Sequence, residues 1–314
     1  STLHAALHAC DVRAGDEVII LPLNVIASAS VILAQGAIPI FADVDENTWN
    51  MCPKSLEKAF AFHCPKAVIV TDIYGQSANY SLIAKICKKN NVPIIEDAAE
   101  SLGATYKNKK CGSFGDLSIL SFNGNKIITT SGGGMLLSND ENLIKKAKKL
   151  SNQAKEDTIY YQHNEIGYNY RLSNVLAALG RAQFNSLDNF VRKKRKIFKN
   201  YKSLFCKQKF IQFMPEIEKG VSTNWLSVIL VNRQKIDIMK IIAEIIDNNI
   251  EVRPLWKPMH MQPIFKNNLY YKFETSSVSK TLFYHGICLP SGLSLKLDNQ
   301  IEISNIILTA IEKN

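Results

Sequence analysis

KAVIVTDIYGQSANYSLIAKICKKNNVPIIEDAAE, residues 66–100, contains one complete unit of the architecture. Residues 66–75 form an apolar, β-branched run that reads as a buried strand. Across 80–91, Leu82, Ile83, Ile86 and Cys87 fall on one side of an amphipathic helix, and 92–100 returns to a strand-like run that ends at Asp97. Strand, helix and strand at this spacing mark parallel strands joined by a crossover helix. The alternation extends backwards through a strand at 16–23, a helix at 26–35, a strand at 37–45 and a helix at 53–60. The expected fold class is α/β, with a large, mostly parallel sheet covered on both faces. Ligands gather at the carboxyl ends of such strands, which marks Asp97, Ser121 and the loop that carries Lys126.

That loop lies in LSFNGNKIITTSGGGML, residues 120–136. Lys126 is the only lysine between Lys110 and Lys145, and it sits between Phe122 on one side and Ile127 and Ile128 on the other. A solubility charge is poorly placed there, so the residue asks for a partner. A lysine amine held in a partly desolvated site can form an imine with a carbonyl. An aspartate at a strand end can keep a pyridine nitrogen protonated, and together the two suggest pyridoxal phosphate (PLP) chemistry. The plain alternatives are a surface lysine and an aspartate that caps the next helix. No G-x-G-x-x-G follows the early strands and GNKIITT does not fit a phosphate-binding P-loop, so dinucleotide and P-loop readings lack their fingerprints. SGGGM reads as a tight turn before another strand.

After residue 172 the pattern becomes one long helix over 173–205, with Leu176, Leu179, Phe184, Leu187, Phe190 and Val191 as its apolar positions. A smaller α/β unit follows, with strands at 224–231 and 250–256, a helix at 236–249 and a closing helix near 298–312. The expected domains are 1–205, including the linking helix, and 206–314.

At 314 residues and 46% hydrophobic, the chain can bury a large core. No apolar run approaches the ~20 residues of a membrane span, and the start has no basic leader of a secretory signal, so no membrane partner is expected. Seven scattered cysteines without a C-x-x-C pair argue for a reduced, cytoplasmic protein with no metal site and no disulfide framework. The net charge of +10 comes from basic clusters in three separate segments. They read as solvated helix faces, and no nucleic-acid partner is expected.

A run of motifs in order, DEVI, IASAS, PIFADVD, YGQ, IIEDAAESLGATYKNKKCGSFGDLSILSFNGNKIITTSGGGML, GYNYRLSNVLAALGRAQ and RPLWKPMHMQP, closely resembles the DegT/StrS family of nucleotide-sugar aminotransferases. The likeness covers essentially the whole chain and implies the PLP-dependent transferase fold type I, the architecture of aspartate aminotransferase. SFNGNKIITT and RPLWKPMH resemble the branch that aminates C4 of UDP-4-keto-6-deoxy-N-acetylglucosamine, the bacillosamine and legionaminic acid type. The resemblance implies that Lys126 carries PLP as an imine, Asp97 partners the ring nitrogen, Glu100 lies beside the ring and its 3-hydroxyl, and Ser121 binds the phosphate. It further implies that Asn169 reaches the phosphate of a partner subunit's cofactor, in a homodimer with shared active sites, and that Arg253 and His260 lie near the substrate. Glutamate is the implied amino donor.

Two departures accompany the likeness. The family's Gly-Thr before the first helix is expected just ahead of Ser1, so an N-terminal segment is expected to be missing, with Ser1 and Thr2 close to the phosphate. Val25 stands where the family often has Phe or Trp, which implies aliphatic contact in place of ring stacking. Relatives that act as sugar 3-dehydratases carry histidine at the lysine position, and Lys126 speaks against that chemistry. A regulatory or binding protein that kept the fold would form no imine and consume no glutamate.

Overall fold

The computed structural model describes residues 1–233 and 236–313. Helix α1 (Thr2–Ala9) leads into β1 (Glu17–Ile20), α2 (Ile26–Ala34), β2 (Ile38–Ala42), α3 (Pro53–Phe60), β3 (Ala67–Thr71), α4 (Tyr80–Lys89) and β4 (Ile94–Asp97). A small hairpin, β5 (Thr105–Tyr106) and β6 (Lys109–Lys110), precedes β7 (Leu117–Ser121) and β8 (Gly134–Leu137). Then come α5 (Glu141–Ser151), α6 (Asn174–Phe184) and α7 (Leu187–Leu204). The rest comprises β9 (Ile211–Phe213), β10 (Gly220–Val221), β11 (Ser227–Val231), α8 (Ile238–Asp247), β12 (Arg253–Pro254), β13 (Tyr270–Tyr271), α9 (Val278–His285), β14 (Gly286–Leu289) and α10 (Leu297–Lys313).

Seven strands form the large sheet in the order β13-β2-β1-β3-β4-β7-β8, and only β8 runs antiparallel to its neighbour. The pleat divides each central strand between two cores. Val18 and Ile20 of β1 and Ile69 of β3 pack with Leu3 and Leu7 of α1, while Ile19, Val68 and Val70 pack with Leu56 of α3 and Ile83 of α4. Each such aliphatic side chain contributes about 1.5–3 kcal/mol on full burial, which fixes the strand ends that carry the site.

A four-stranded antiparallel sheet, β12-β14-β11-β9, is drawn from residues after 206 and is backed by α8 and α10. Two segments after 206 return to the first part of the chain. β10 pairs with β5, and β13 lies parallel along the outer edge of β2. Among the described residues no helix is long and apolar enough to cross a membrane.

The single helix expected over 173–205 is two helices, α6 and α7, separated at Asn185 and Ser186. Asn and Ser are weak helix formers, and Ser186 takes φ −102°, ψ 2°, outside the helical well. The strand expected over 250–256 shrinks to Arg253–Pro254, because Pro254 has no amide to extend the ladder. No residue of α6 is buried, and Val175, Leu179 and Phe184 are exposed.

Candidate active site

The strand order reverses direction about β1 and β3, and the site opens at the carboxyl ends of β3, β4 and β7. Asp97 closes β4, and the register sets Thr71 of β3 beside it. Asp97 Oδ2 accepts hydrogen bonds from Ser28 Oγ at 3.1 Å and Thr71 Oγ1 at 3.4 Å, and Oδ1 accepts from the Ala99 amide at 3.2 Å. Asn24 Nδ2 donates to Thr71 Oγ1 at 2.8 Å, which leaves that hydroxyl's own hydrogen free to point at Asp97. Burial raises the Asp97 carboxyl above its ordinary range, and the Ala99 amide and the Lys126 charge pull it back.

Glu100 lies in the turn that follows β4. Its Oε2 accepts from the Tyr74 amide at 2.8 Å and its Oε1 from Lys126 Nζ at 3.4 Å. Burial pushes this carboxyl up to about 7, against the pull of Lys126. The Tyr74 amide reaches Glu100 because Tyr74 adopts a left-handed φ of +54° ahead of Gly75 at +97°. A non-glycine residue held there costs about 1–3 kcal/mol, a strain typical of functional turns.

Lys126 is reached from β7 through a turn in which its own amide donates to the Asn123 carbonyl at 3.0 Å. Its Nζ also stands 4.2 Å from the centroid of the Trp225 ring, and Trp225 Nε1 donates to the Asn125 carbonyl at 2.9 Å. The indole therefore contacts both the lysine head and the backbone that carries it. Trp256 continues this wall, with ring centroids 4.9 Å from Tyr74 and 6.5 Å from Trp225.

Asp97, Glu100, Ser121, Lys126 and Arg253 line one cavity of about 940 Å³, and Ser1, Thr2 and Val25 contribute to the same wall. Arg253 sits at its outer part, paired at 2.8 Å with Glu251 in an exposed ion pair. Two residues proposed from the sequence do not join them. Asn169 is exposed and bridges to Asn152, away from its own chain's cavity. His260 is absent from the cavity wall. Its ring stacks on Tyr270 at 3.8 Å, both ring nitrogens lack partners, and burial lowers it to about 4, so it behaves as a packed neutral ring.

This donor set fits pyridoxal phosphate. An amine and a buried carboxylate reach the same cavity from different strands, the carboxylate is braced by three donors, and the Ser121 hydroxyl lies on the wall. The cavity also falls within the size range of small-molecule and cofactor sites, about 300–1,000 Å³. Ser28, Thr71, Asn24 and Trp225 complete the arrangement and were not singled out from the sequence. Lys194 belongs to the basic segment 191–202, which reads as a solvated helix face, yet it is buried and lines the cavity. The signal for Lys194 was present, because it falls on the apolar face of α7 with Val191, Ile197, Phe198 and Tyr201.

Comparison with known proteins agrees with this geometry. Residues 1–308 match the model of the DegT/DnrJ/EryC1/StrS aminotransferase family. The chain is 48% identical over 316 residues to the putative pyridoxal phosphate-dependent aminotransferase EpsN of Bacillus subtilis (strain 168), covering 98% of this chain and 81% of that protein. It is 36% identical over 301 residues to the GDP-perosamine synthase of Escherichia coli O157:H7, covering 96% and 80%. The fold superposes on Helicobacter pylori PseC, an aminotransferase involved in the biosynthesis of pseudoaminic acid, with a TM-score of 0.89 at 25% identity over 100% of this chain and 85% of that one.

Proposed function

The chain belongs to the DegT/DnrJ/EryC1/StrS aminotransferase family, and from that premise we propose that it moves an amino group from glutamate to C4 of a nucleotide-linked 4-keto-6-deoxy sugar, UDP-4-keto-6-deoxy-N-acetylglucosamine. It is a PLP-dependent aminotransferase of fold type I. The observation that carries the finer reading is the convergence of Lys126, Asp97 and Glu100 on one cavity large enough for a cofactor and part of a sugar nucleotide.

When bound, PLP supplies an electron sink for the carbon that loses and regains a proton. The chain's own groups do the rest. Asp97 would hold the ring nitrogen, with its Oδ1 fixed by the Ala99 amide. Ser121, on the cavity wall, would offer its hydroxyl to the phosphate. Lys126 Nζ, beside Glu100 and the Trp225 indole, would be the amine that holds the cofactor and, as a general base and acid, would accept and return the migrating proton. Glu100, poised near neutrality, holds Nζ on the side of Tyr74. The aromatic wall of Trp225, Trp256 and Tyr74 excludes water from this face of the cavity.

The partner is a second copy of the chain. Ile159, Tyr160, Tyr161, Ile166, Val175, Leu179 and Phe184 are exposed large hydrophobic side chains within one stretch, and the exposed Asn169 lies among them. That placement suits a residue that serves the partner subunit's cofactor. The motif likeness of SFNGNKIITT and RPLWKPMH favours a UDP-sugar. The likeness to the Escherichia coli synthase favours a GDP-linked sugar as the second reading.

The deciding experiment supplies glutamate and PLP with a panel of UDP-, GDP- and dTDP-linked 4-keto sugars and follows formation of the amino sugar and of 2-oxoglutarate. Preferential turnover of the UDP-sugar supports the proposal. Preference for the GDP-sugar replaces it with the second reading, and turnover of none removes the sugar assignment.

A further inference from the structure

We propose that Lys194 is a positioning residue for this reaction, acting on Lys126 through Trp225; the inference rests on Lys126 being the reactive amine. Lys194 is 7% exposed and occupies the apolar face of α7. A buried ammonium costs several kcal/mol unless it is bound. Among the described residues no carboxylate stands within ion-pair distance of it. Instead Nζ donates to two main-chain carbonyls, that of Trp225 at 2.9 Å and that of Ser291 at 2.6 Å. Burial lowers the amine to about 8.

Those carbonyls belong to the segments that shape the cavity. Next to Lys194 on the helix, Arg195 Nε donates to the Ser222 carbonyl at 2.7 Å, and two turns on, Tyr201 donates from its hydroxyl to the Pro290 carbonyl at 3.1 Å. On the other side, the Gly75 carbonyl accepts from the Thr223 amide at 2.9 Å and from Ser222 Oγ at 2.9 Å. Residues 222–225 are thus clamped between α7 and the Tyr74–Gly75 turn, and the clamp ends at Trp225. From there the indole reaches the Asn125 carbonyl and the head of Lys126. Holding two carbonyls with a buried charge is a poor route to stability, since well-packed apolar groups often serve equally well. A device that fixes the indole against the reactive amine accounts for a charged donor at this point.

The test is a double-mutant cycle on the full chain, comparing wild type with Lys194→Met, Trp225→Ala and the double variant. The first readout needs neither cofactor nor substrate. The cofactor-free protein is treated with acetic anhydride, and acetylation at Lys126 is timed by peptide mass. Lys194→Met and Trp225→Ala should each speed labelling at least threefold, and each should lower kcat about tenfold with KM little changed. The double variant should match Trp225→Ala alone in both readouts. Unchanged labelling in Lys194→Met, or full additivity in the double variant, overturns the proposal. Should Lys194→Met fail to fold, Lys194→Gln, neutral yet still a donor, is read in the same cycle. Lys126→Ala keeps the two readings apart: full turnover by that variant removes Lys126 as the reactive amine, whereas the labelling cycle judges Lys194 without any turnover.

Discussion

Lys126 Nζ and Glu100 Oε1 stand 3.4 Å apart with 11% and 3% of their side chains exposed, so protein rather than water surrounds this pair. The amine thereby has one fixed direction, toward the turn after β4, and the indole of Trp225 closes another.

Lys126→Ala removes the amine proposed to anchor PLP covalently. Turnover should fall by at least about 10³-fold, since general acid–base transfer alone accounts for about 10²–10⁴. Borohydride reduction with PLP, followed by peptide mapping, should place a phosphopyridoxyl group on GNKIITT in wild type and none there in the variant. Absence of that adduct from the wild-type peptide would contradict the role.

Asp97→Asn keeps the volume and can keep the donations from Ser28 and Thr71, but it loses the charge that favours a protonated ring nitrogen. Hydrogen bonds to charged groups contribute about 1.5–3 kcal/mol, so kcat should drop roughly ten- to a hundredfold or more while the fold survives. Thermal unfolding of the cofactor-free protein checks the fold, and steady-state rates check the charge.

Glu100 gives the site a pH signature. Burial raises it from 4.5 to about 7, so between those values the folded protein holds a proton that the unfolded chain has released. The stability this proton contributes is complete below about 4.5 and is lost as the pH climbs through 7, by up to about 3 kcal/mol. Glu100→Gln cannot ionise and should escape the loss. Urea unfolding of both cofactor-free proteins from pH 4.5 to 8 should show wild type falling away from the variant across this window; parallel curves would refute it.

Gly75 has no room for a side chain. A Cβ there would lie 2.3 Å from Thr223 Oγ1 and 2.8 Å from the Trp225 amide, at a φ of +97°. Gly75→Ala should cost about 2–4 kcal/mol through strain and overpacking together, and turnover should fall because Trp225 shifts. Gly124→Ala is the matched control, since nothing lies within 4 Å of its added carbon. Denaturant midpoints of the two variants make the comparison.

The sheet was legible because its strands alternate between two cores and announce themselves as uninterrupted apolar runs, as Val68 to Val70 and Ile94 to Ile95 do. Asp97 and Lys126 were legible for the complementary reason, as charges set against such runs. Ser28, Thr71 and Asn24 were not, because small polar residues in apolar segments look alike until register brings them to one carboxylate. Trp225 read as the start of a strand, and its contact with Lys126 depends on a clamp whose parts lie at positions 75, 194 and 222. The break at Asn185 and Ser186 was hidden by heptad-like spacing that runs straight through it.

The edge strand β13 sets a clock on the large sheet. Phe41 and Asp43 donate their amides to the carbonyls of Leu269 and Tyr271, and Asp43 in turn accepts from the amides of Val278 and Ser279. The outer edge of β2 therefore has no partner until about 230 further residues have been made, roughly ten to fifty seconds at ordinary translation rates. Throughout that interval a nascent chain presents an open, apolar ladder that any other strand can join. A ribosome-bound intermediate of this protein is a natural client for chaperones, and slowing translation before residue 270 should increase aggregation rather than relieve it.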